Sequence, residues 1–324
     1  MEQKLKNPWV VGILAVFCCA LWGSAFPFIK IGYRLFSIPA DAPGSQILFA
    51  GIRFTLAGVL AILFGSVLKR QLIRPRKEAA GRIIKLALLQ TALQYFFFYI
   101  GLAHTSGVKG SIIVGTNSLI VILTASLIFR QEKLTGVKLA GCLAGLAGVV
   151  LANLDGSGFG LDMTFTGEGF VLLSVVCYAF SSVLMKIYSK DDDPVMLSGY
   201  QFVAGGILLS AVGLLLGGRI RLDGAAGSAG TACSVLFYLA FLSAAAYTIW
   251  GILLKYNPVS SVAIYGFCNP VMGVFLSALM LGEGGQAFQL KNLGALGLVC
   301  LGILIVNKLG GPKKAAEQKE RRLA

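Results

Sequence analysis

The chain has 324 residues, of which 56% are hydrophobic and 13% charged, and its formal net charge is +14. Soluble domains carry roughly a quarter of their residues as Asp, Glu, Lys and Arg, so this sequence has too little charge to cover a globule in water. The basic residues lie in short breaks between apolar stretches and do not form one patch, which argues against nucleic-acid binding. The composition therefore predicts an all-α integral membrane protein with the lipid bilayer as its partner.

Ten apolar segments match or approach the length of about 20 residues that a helix needs to cross a bilayer. They cover residues 9–31, 47–68, 83–104, 110–129, 137–153, 167–188, 195–217, 232–254, 260–281 and 291–307. With the N-terminus inside, twenty Lys and Arg residues fall in cytoplasmic segments and five in outer segments. Because Lys and Arg concentrate in cytoplasmic loops, we expect ten transmembrane helices in the inner (cytoplasmic) membrane, with both termini cytoplasmic.

Four short strings of the first half recur in the same order in the second half. ALWGSAFPFIK, ending at Lys30, aligns with VCYAFSSVLMK, ending at Lys186, and GIRF at 51–54 aligns with GYQF at 199–202. FRQE and GVVLAN align with MLGE and GILIVN, and all four offsets lie between 148 and 156 residues. Because each copy has five spans, an odd number, we predict two inverted five-helix repeats. The two repeats and a basic cytoplasmic tail occupy residues 1–154, 155–309 and 310–324.

Six strings carry a resemblance to a known family over about residues 9–307. They are LWGSAFPFIK, IRF and FRQEKL in the first half, and GEGFVLLSVVCYAFSSVLMK, AAAYTIWGILLKYNP and NPVMGVFLSALMLGE in the second. As an ordered set they resemble the EamA-type group of the drug/metabolite transporter superfamily. The resemblance implies a ten-span fold and transport of a small solute, either outward or inward. The solutes of the family include amino acids, nucleosides, vitamins and amphiphilic drugs.

Polar and aromatic side chains in the middle of the predicted spans are candidates for a solute pathway, because polar groups are costly in lipid. The alternative is that they serve helix packing. An aromatic wall with a few amides, as on spans 3 and 8, suits a planar or amphiphilic solute. Pro270 in span 9 lacks a backbone donor, so we expect irregular backbone at 266–270. The predicted substrate contacts are Gln94, Tyr95, Phe98, Asn117, Tyr178, Gln201, Tyr247, Trp250 and Asn269.

Charged residues inside the predicted spans are few. Lys30, Arg53 and Lys186 lie toward span ends, so we expect their long side chains to reach the membrane interface. No Asp or Glu falls at the centre of a predicted span, and Glu132 and Glu283 flank loops. A buried carboxylate for proton coupling is therefore not indicated.

Few residues in the sequence could bind a metal or a cofactor. The seven cysteines lie in apolar stretches without metal-ligand spacing, and the chain has one histidine, so we expect no metal and no cofactor. The leading hypothesis is a secondary transporter that exports a small amphiphilic metabolite such as an amino acid. An importer, a channel or structural bundle, and a membrane-embedded enzyme acting on lipid are the alternatives, although an enzyme would need a nucleophile–base pair that is absent from the sequence.

Glycine-rich strings occur in spans 5 and 10. GCLAGLAG at 141–148 and GALGLVCLG at 294–302 have the small-residue spacing that lets helices approach closely. They predict either an internal support or the face of a homodimer, so the expected state is a monomer or a homodimer.

Overall fold

A computed structural model describes residues 2–39, 41–105, 107–153, 164–221, 229–280 and 290–309. These residues form helices joined by short connections, and none of them is in a strand. The all-α prediction is therefore confirmed for the described part of the chain. The predicted tail at 310–324, Glu283 and most of the connection after the fifth span lie outside the described residues.

After a short helix at Glu2–Leu5, the described residues group into ten helices, five in each half. In the first half, α1 is Pro8–Leu35, α2 is Pro43–Lys69, α3 is Lys77–Ala103, α4 joins Gly107–Gly115, Asn117–Leu123 and the π-helical turn Thr124–Ile128, and α5 is Gly136–Asn153. In the second half, α6 is Phe165–Tyr188, α7 is Pro194–Leu215, α8 is Ala229–Tyr256, α9 joins Val259–Ala263, the 3₁₀ turn Ile264–Phe267 and Cys268–Met280, and α10 joins Leu290–Leu304 and the π-helical turn Ile305–Leu309.

Several helices are long and apolar enough to cross a membrane. Within the described ranges these are six, namely α1, α2, α3, α6, α7 and α8, while α4, α5 and α10 contain shorter apolar stretches. Large apolar side chains such as Leu63, Ile84 and Leu214 are more than half exposed on the outside of the bundle, which is the surface that lipid would cover. The number of ten crossings stays a prediction.

Local sequence explains where the long helices begin. α1, α2 and α7 all have proline in their first turn, where its missing N–H is not needed and its fixed φ suits a helix. Asn7 and Asp193 precede two of these prolines, and their side chains accept hydrogen bonds from the backbone N–H groups of Trp9 and Val195. These caps satisfy donors that the first turn leaves free.

Helices α2 and α7 approach closely at two pairs of glycines. A Cβ on Gly58 would lie 2.5 Å from the carbonyl oxygen of Gly199, and a Cβ on Gly206 would lie 2.8 Å from that of Gly51. Gly199 and Gly206 follow Gly51 and Gly58 by 148 residues each, the offset that aligns GIRF with GYQF. Replacing each glycine by its equivalent in the other half therefore turns the first contact into the second, so the two contacts are related by the repeat.

Several other helix contacts also occur in matching pairs: in the counterpart of a contact, each helix is replaced by the helix five places away in chain order. α1 packs on α8 as α6 packs on α3, and α1 packs on α9 as α6 packs on α4. The remaining pair, α5 and α10, packs through the glycine-rich strings, since a Cβ on Gly302 would lie 2.5 Å from the carbonyl oxygen of Gly141. These glycines are used as an internal support of the bundle.

Ion pairs join the two halves where the α2–α3 connection meets the α6–α7 connection. The carboxylate of Asp192, 3% exposed, accepts hydrogen bonds from Arg76 at 3.1 Å and from Arg82 at 2.7 Å. Lys69 forms an ion pair of 2.6 Å with Asp193 in the same place. Charges therefore tie the halves together at this end of the bundle.

Candidate functional site

A cavity of about 150 Å³ lies between the two halves. One water needs about 10–15 Å³ on this scale, so the space is large enough for a small organic solute. Helices α1, α2, α3, α4, α6, α8 and α9 all contribute to its wall. The aromatic side chains of the wall are Trp22, Tyr95, Phe98, Tyr99, Tyr178, Tyr247 and Trp250. The polar ones are Arg53, Gln94, Asn117, Ser118, Ser174, Ser182 and Asn269.

Eight of the nine predicted substrate contacts lie in this wall, and Gln201 is the exception. The side chain of Gln201 is fully buried, and its Oε1 accepts a hydrogen bond of 2.8 Å from Thr91 Oγ1. The geometry places Gln201 between α7 and α3, away from the cavity. Whether the other eight contact a substrate stays a prediction.

The cavity face of α3 begins at a distortion of the helix. A π-helical turn at Ala87–Leu93 ends immediately before Gln94, and such turns are frequent at functional sites. Gln94, Tyr95 and Phe98 then face the cavity as the spacing predicts. Tyr99 joins them although sequence reasoning missed it, and its place four residues after Tyr95 on the same helix face is the signal that reveals it.

Aromatic side chains of both halves contact one another beside the cavity. The hydroxyl oxygens of Tyr95 and Tyr247 are 2.9 Å apart, so one donates a hydrogen bond to the other. The ring of Trp22 packs edge-on against Tyr247 and against Trp250, with centroid distances of 5.1 Å in both pairs. Edge-to-face pairs of this kind each stabilise by about 0.5–1.5 kcal/mol beyond area burial. The cluster gives the cavity a preorganised apolar wall.

Helices α4 and α9 are interrupted at equivalent places beside the cavity. α4 breaks at Thr116, and α9 contains the 3₁₀ turn Ile264–Phe267. The irregular backbone predicted at 266–270 is therefore present, shifted toward the N-terminus. Asn117 and Asn269 follow the two breaks, and the side-chain oxygens of both are buried without a hydrogen-bond partner among the described residues. Paired helix breaks that present polar groups to a central cavity are typical of transporter sites.

Helix α6 presents a stripe of three residues to the cavity. Ser174, Tyr178 and Ser182 are spaced by four residues and therefore share one helix face. Tyr178 is the residue of this stripe that the sequence predicts. The two serines are missed by sequence reasoning, although the helical period counted from Tyr178 locates both.

One prediction about basic residues was wrong. Arg53 does not reach the membrane interface, because its side chain is 3% exposed and lines the cavity. The Nζ of Lys186, near the end of α6, donates hydrogen bonds to the carbonyl oxygens of Lys255 at 3.0 Å and Asn257 at 2.8 Å. These carbonyls lie at the C-terminus of α8, where unpaired C=O groups and the helix dipole attract a positive charge. That this side chain reaches the membrane interface stays a prediction. Lys30 is exposed, as expected.

An apolar exterior, two halves with interchangeable contacts and a central cavity with an aromatic wall define the chain as a helical membrane bundle. The sequence matches the EamA-like transporter family over residues 10–154 and again over 165–308. The chain therefore belongs to the EamA-like transporter family and is a multi-pass integral membrane protein. The family resemblance deduced from the sequence is confirmed.

Individual relatives agree with this assignment. An uncharacterized transporter of Synechocystis is 28% identical over 95% of this chain and 93% of its own length. A protein of Escherichia coli named a probable amino-acid metabolite efflux pump is 27% identical over 91% of this chain and 93% of its own length. One solved crystal structure is similar with a TM-score of 0.72 and 19% identity, covering 94% of this chain and 97% of the other. That last similarity concerns the fold alone.

Proposed function

We propose that the chain is a secondary transporter that moves a small amphiphilic solute, and most simply exports it, across the cytoplasmic membrane by alternating access. The observation that carries the proposal is the cavity between the halves, whose described wall has seven aromatic side chains and a few polar groups. Ligand sites are typically apolar cavities with a small number of placed polar groups. The solute would lie between α3 and α8, against Tyr95, Tyr247 and Trp250.

The proposed topology has ten crossings in two inverted repeats, divided near residue 154, with both termini in the cytoplasm. Three observations support it: the ordered repeats, the excess of Lys and Arg on one side and the interchangeable helix contacts. In this topology the ion pairs of Asp192 and Asp193 lie at the cytoplasmic end. Rocking of one half against the other would open and close the two ends in turn.

Both halves of one chain contribute to the described wall of the cavity, so we propose that a single copy is sufficient for transport, whether or not copies associate. Outward transport is the direction favoured by the relative named an efflux pump. Inward transport of the same solute uses the same site and is the alternative outcome of the experiment.

The test is transport in proteoliposomes that contain the purified full chain, with a panel of radiolabelled amino acids and amphiphilic amines added on either side. Trp250→Ala should lower the transport rate of the best solute severalfold, because a lost aromatic contact weakens binding by about 1 kcal/mol or more. Faster transport from one side of the membrane assigns the direction.

Trp9→Ala is the matched control, because Trp9 is 82% exposed at the start of α1 and far from the cavity wall. Its transport rate should equal that of the wild type. Equal rates for wild type, Trp250→Ala and Trp9→Ala, with all three proteins folded, would place the transport site elsewhere.

A further inference from the structure

Arg53 lies deep in the bundle. It is the eleventh residue of α2, which begins at Pro43, four residues before the start that the hydropathy indicates. At 1.5 Å per residue this places its Cα about 15 Å along a helix of about 40 Å. Arg53 therefore lies almost three helical turns from the start of α2, and its side chain lines the central cavity.

The charge of Arg53 is only partly compensated. Its Nε and Nη1 are buried without a hydrogen-bond partner in the part of the chain that the structure describes. Its guanidinium carbon lies 4.3 Å from the ring centre of Phe54 and 5.9 Å from that of Tyr95, in cation–π geometry. Ring faces offset a fraction of the cost of burying a charge, but they leave the N–H groups of its edge unused.

No carboxylate of the described residues lies close enough to neutralise this charge. The Asp and Glu residues in the described ranges lie in connections or in first turns of helices, and none lines the cavity. Arg53 is also the single charged side chain among the described lining residues. A buried charge of this kind is costly in a membrane protein and marks a functional site.

The position equivalent to Arg53 in the second half has a neutral residue. The alignment of GIRF with GYQF makes Gln201 the equivalent of Arg53. Gln201 is neutral, lies outside the cavity and accepts a hydrogen bond from Thr91. The bundle therefore accommodates a neutral amide here, and packing alone does not require an arginine.

We infer that Arg53 is an anion-binding group that takes the carboxylate of a small organic solute, with the body of the solute against Tyr95, Tyr247 and Trp250. The inference rests on the proposed transport function and names its substrate class. The fork of N–H donors on a guanidinium fits a carboxylate, and a bidentate pair is strong in a dry site. The unpartnered oxygens of Asn117 and Asn269 would accept hydrogen bonds from N–H groups of the same solute.

A carboxylate fits the charge of the site better than a phosphate does. One positive charge neutralises a monoanion, whereas a phosphate ester carries close to two negative charges near neutral pH. The described wall supplies one cation and otherwise neutral groups. A phosphate would therefore keep an uncompensated charge in the cavity.

The experiment compares matched acids and amides on the purified full chain in detergent, with the rise in melting temperature and calorimetric titration as readouts. The probes are 3-phenylpropanoate with 3-phenylpropanamide, 4-methylpentanoate with 4-methylpentanamide, L-leucine and inorganic phosphate. We expect at least one acid to bind about 10-fold or more tightly than its amide, because a charged pair is lost in the amide. Phosphate should produce no shift.

Three variants locate the effect. Arg53→Gln, which installs the residue of the equivalent position, should bind acid and amide equally, while Arg53→Lys should retain part of the preference. Gln201→Met is the matched control at the equivalent position of the second repeat, and it should keep the full preference. Arg53→Gln protein that keeps the wild-type preference, wild type that binds no acid more tightly than its amide, or phosphate binding through Arg53 without acid binding would each overturn the inference.

The transport assay and the binding experiment together distinguish failure of the carboxylate assignment from failure of the proposed transport function. If the wild type transports amphiphilic amines but binds no acid more tightly than its amide, the carboxylate assignment fails and the transport function stands. If acids bind through Arg53 and no solute of the panel crosses the membrane, the anion site stands and the transport function fails.

Discussion

The hydroxyl oxygens of Tyr95 and Tyr247 meet at 2.9 Å, and the two residues are 152 positions apart. This separation lies within the range of offsets that relates the repeats. Phe54 and Phe202 form a second equivalent pair, with stacked rings whose centroids are 5.2 Å apart. Equivalent residues of two halves can touch each other only near the axis that relates the halves. These aromatic pairs therefore mark the axis, and the cavity lies beside it.

The hydroxyl pair permits a direct energetic test. Tyr95→Phe and Tyr247→Phe should each destabilise the protein by about 1 kcal/mol, because each leaves one buried hydroxyl without its partner. The double variant should be less destabilised than the sum of the two, because it removes both hydroxyls together. Thermal unfolding of the four proteins in detergent measures this coupling. If the destabilisation of the double variant equals the sum of the two single destabilisations, the two hydroxyls do not interact in the folded protein.

Gln94→Leu should change which solutes are transported more than it changes stability. Gln94 lines the cavity and its side-chain oxygen is buried without a hydrogen-bond partner among the described residues. Leucine keeps the bulk but removes the amide, so the melting temperature should stay the same or rise slightly. Competition between polar and apolar solutes in proteoliposomes should shift toward apolar ones. Unchanged competition would assign Gln94 to packing.

Periodicity and the internal repeat predicted eight of the fourteen aromatic and polar side chains described in the cavity wall. Gln94, Tyr95 and Phe98 follow helical spacing on one span, and the internal repeat points to Tyr247 on its equivalent. Helical spacing predicts the cavity face correctly because exposing a polar side chain to lipid in mid-span is costly. Such a side chain faces the interior of the bundle, where the halves meet.

Arg53 and Gln201 show where the same reasoning stops. Their strings align, yet the sequence predicted Arg53 at the membrane interface and Gln201 at the substrate, and with respect to the cavity the structure has the reverse. Arg53 lines the cavity, whereas Gln201 lies outside it and accepts a hydrogen bond from Thr91. The outcome depends on the start of α2, four residues earlier than the hydropathy indicates, and on which neighbouring helix offers a partner. Local composition encodes neither the start of the helix nor the neighbour that a side chain meets. The depth and the direction of Arg53 and Gln201 could therefore be determined only from the three-dimensional structure.

The ion-pair cluster around Asp192 should control both stability and transport. Asp192→Asn should destabilise the protein by about 1–3 kcal/mol, because the carboxylate is buried while its partners Arg76 and Arg82 are partly exposed and can rehydrate. Since these pairs tie the halves together, the transport rate should change as well. Glu2→Gln is the control, because the Glu2–Lys6 pair is exposed on both sides, and it should change unfolding by less than about 0.5 kcal/mol. Equal effects of the two substitutions would contradict a role for the cluster.

Orientation in the membrane can be read from two exposed connections. Ser37 lies between α1 and α2, and Lys77 lies at the start of α3, at opposite ends of the intervening helix. With the N-terminus in the cytoplasm, Ser37→Cys should react with a membrane-impermeant maleimide added to intact cells, whereas Lys77→Cys should react only after the membrane is opened. The unsubstituted chain gives the background from its seven native cysteines. Labelling in the reverse pattern would invert the topology. It would also place the basic segment 69–85 outside, against the distribution that positive charges adopt in membrane proteins.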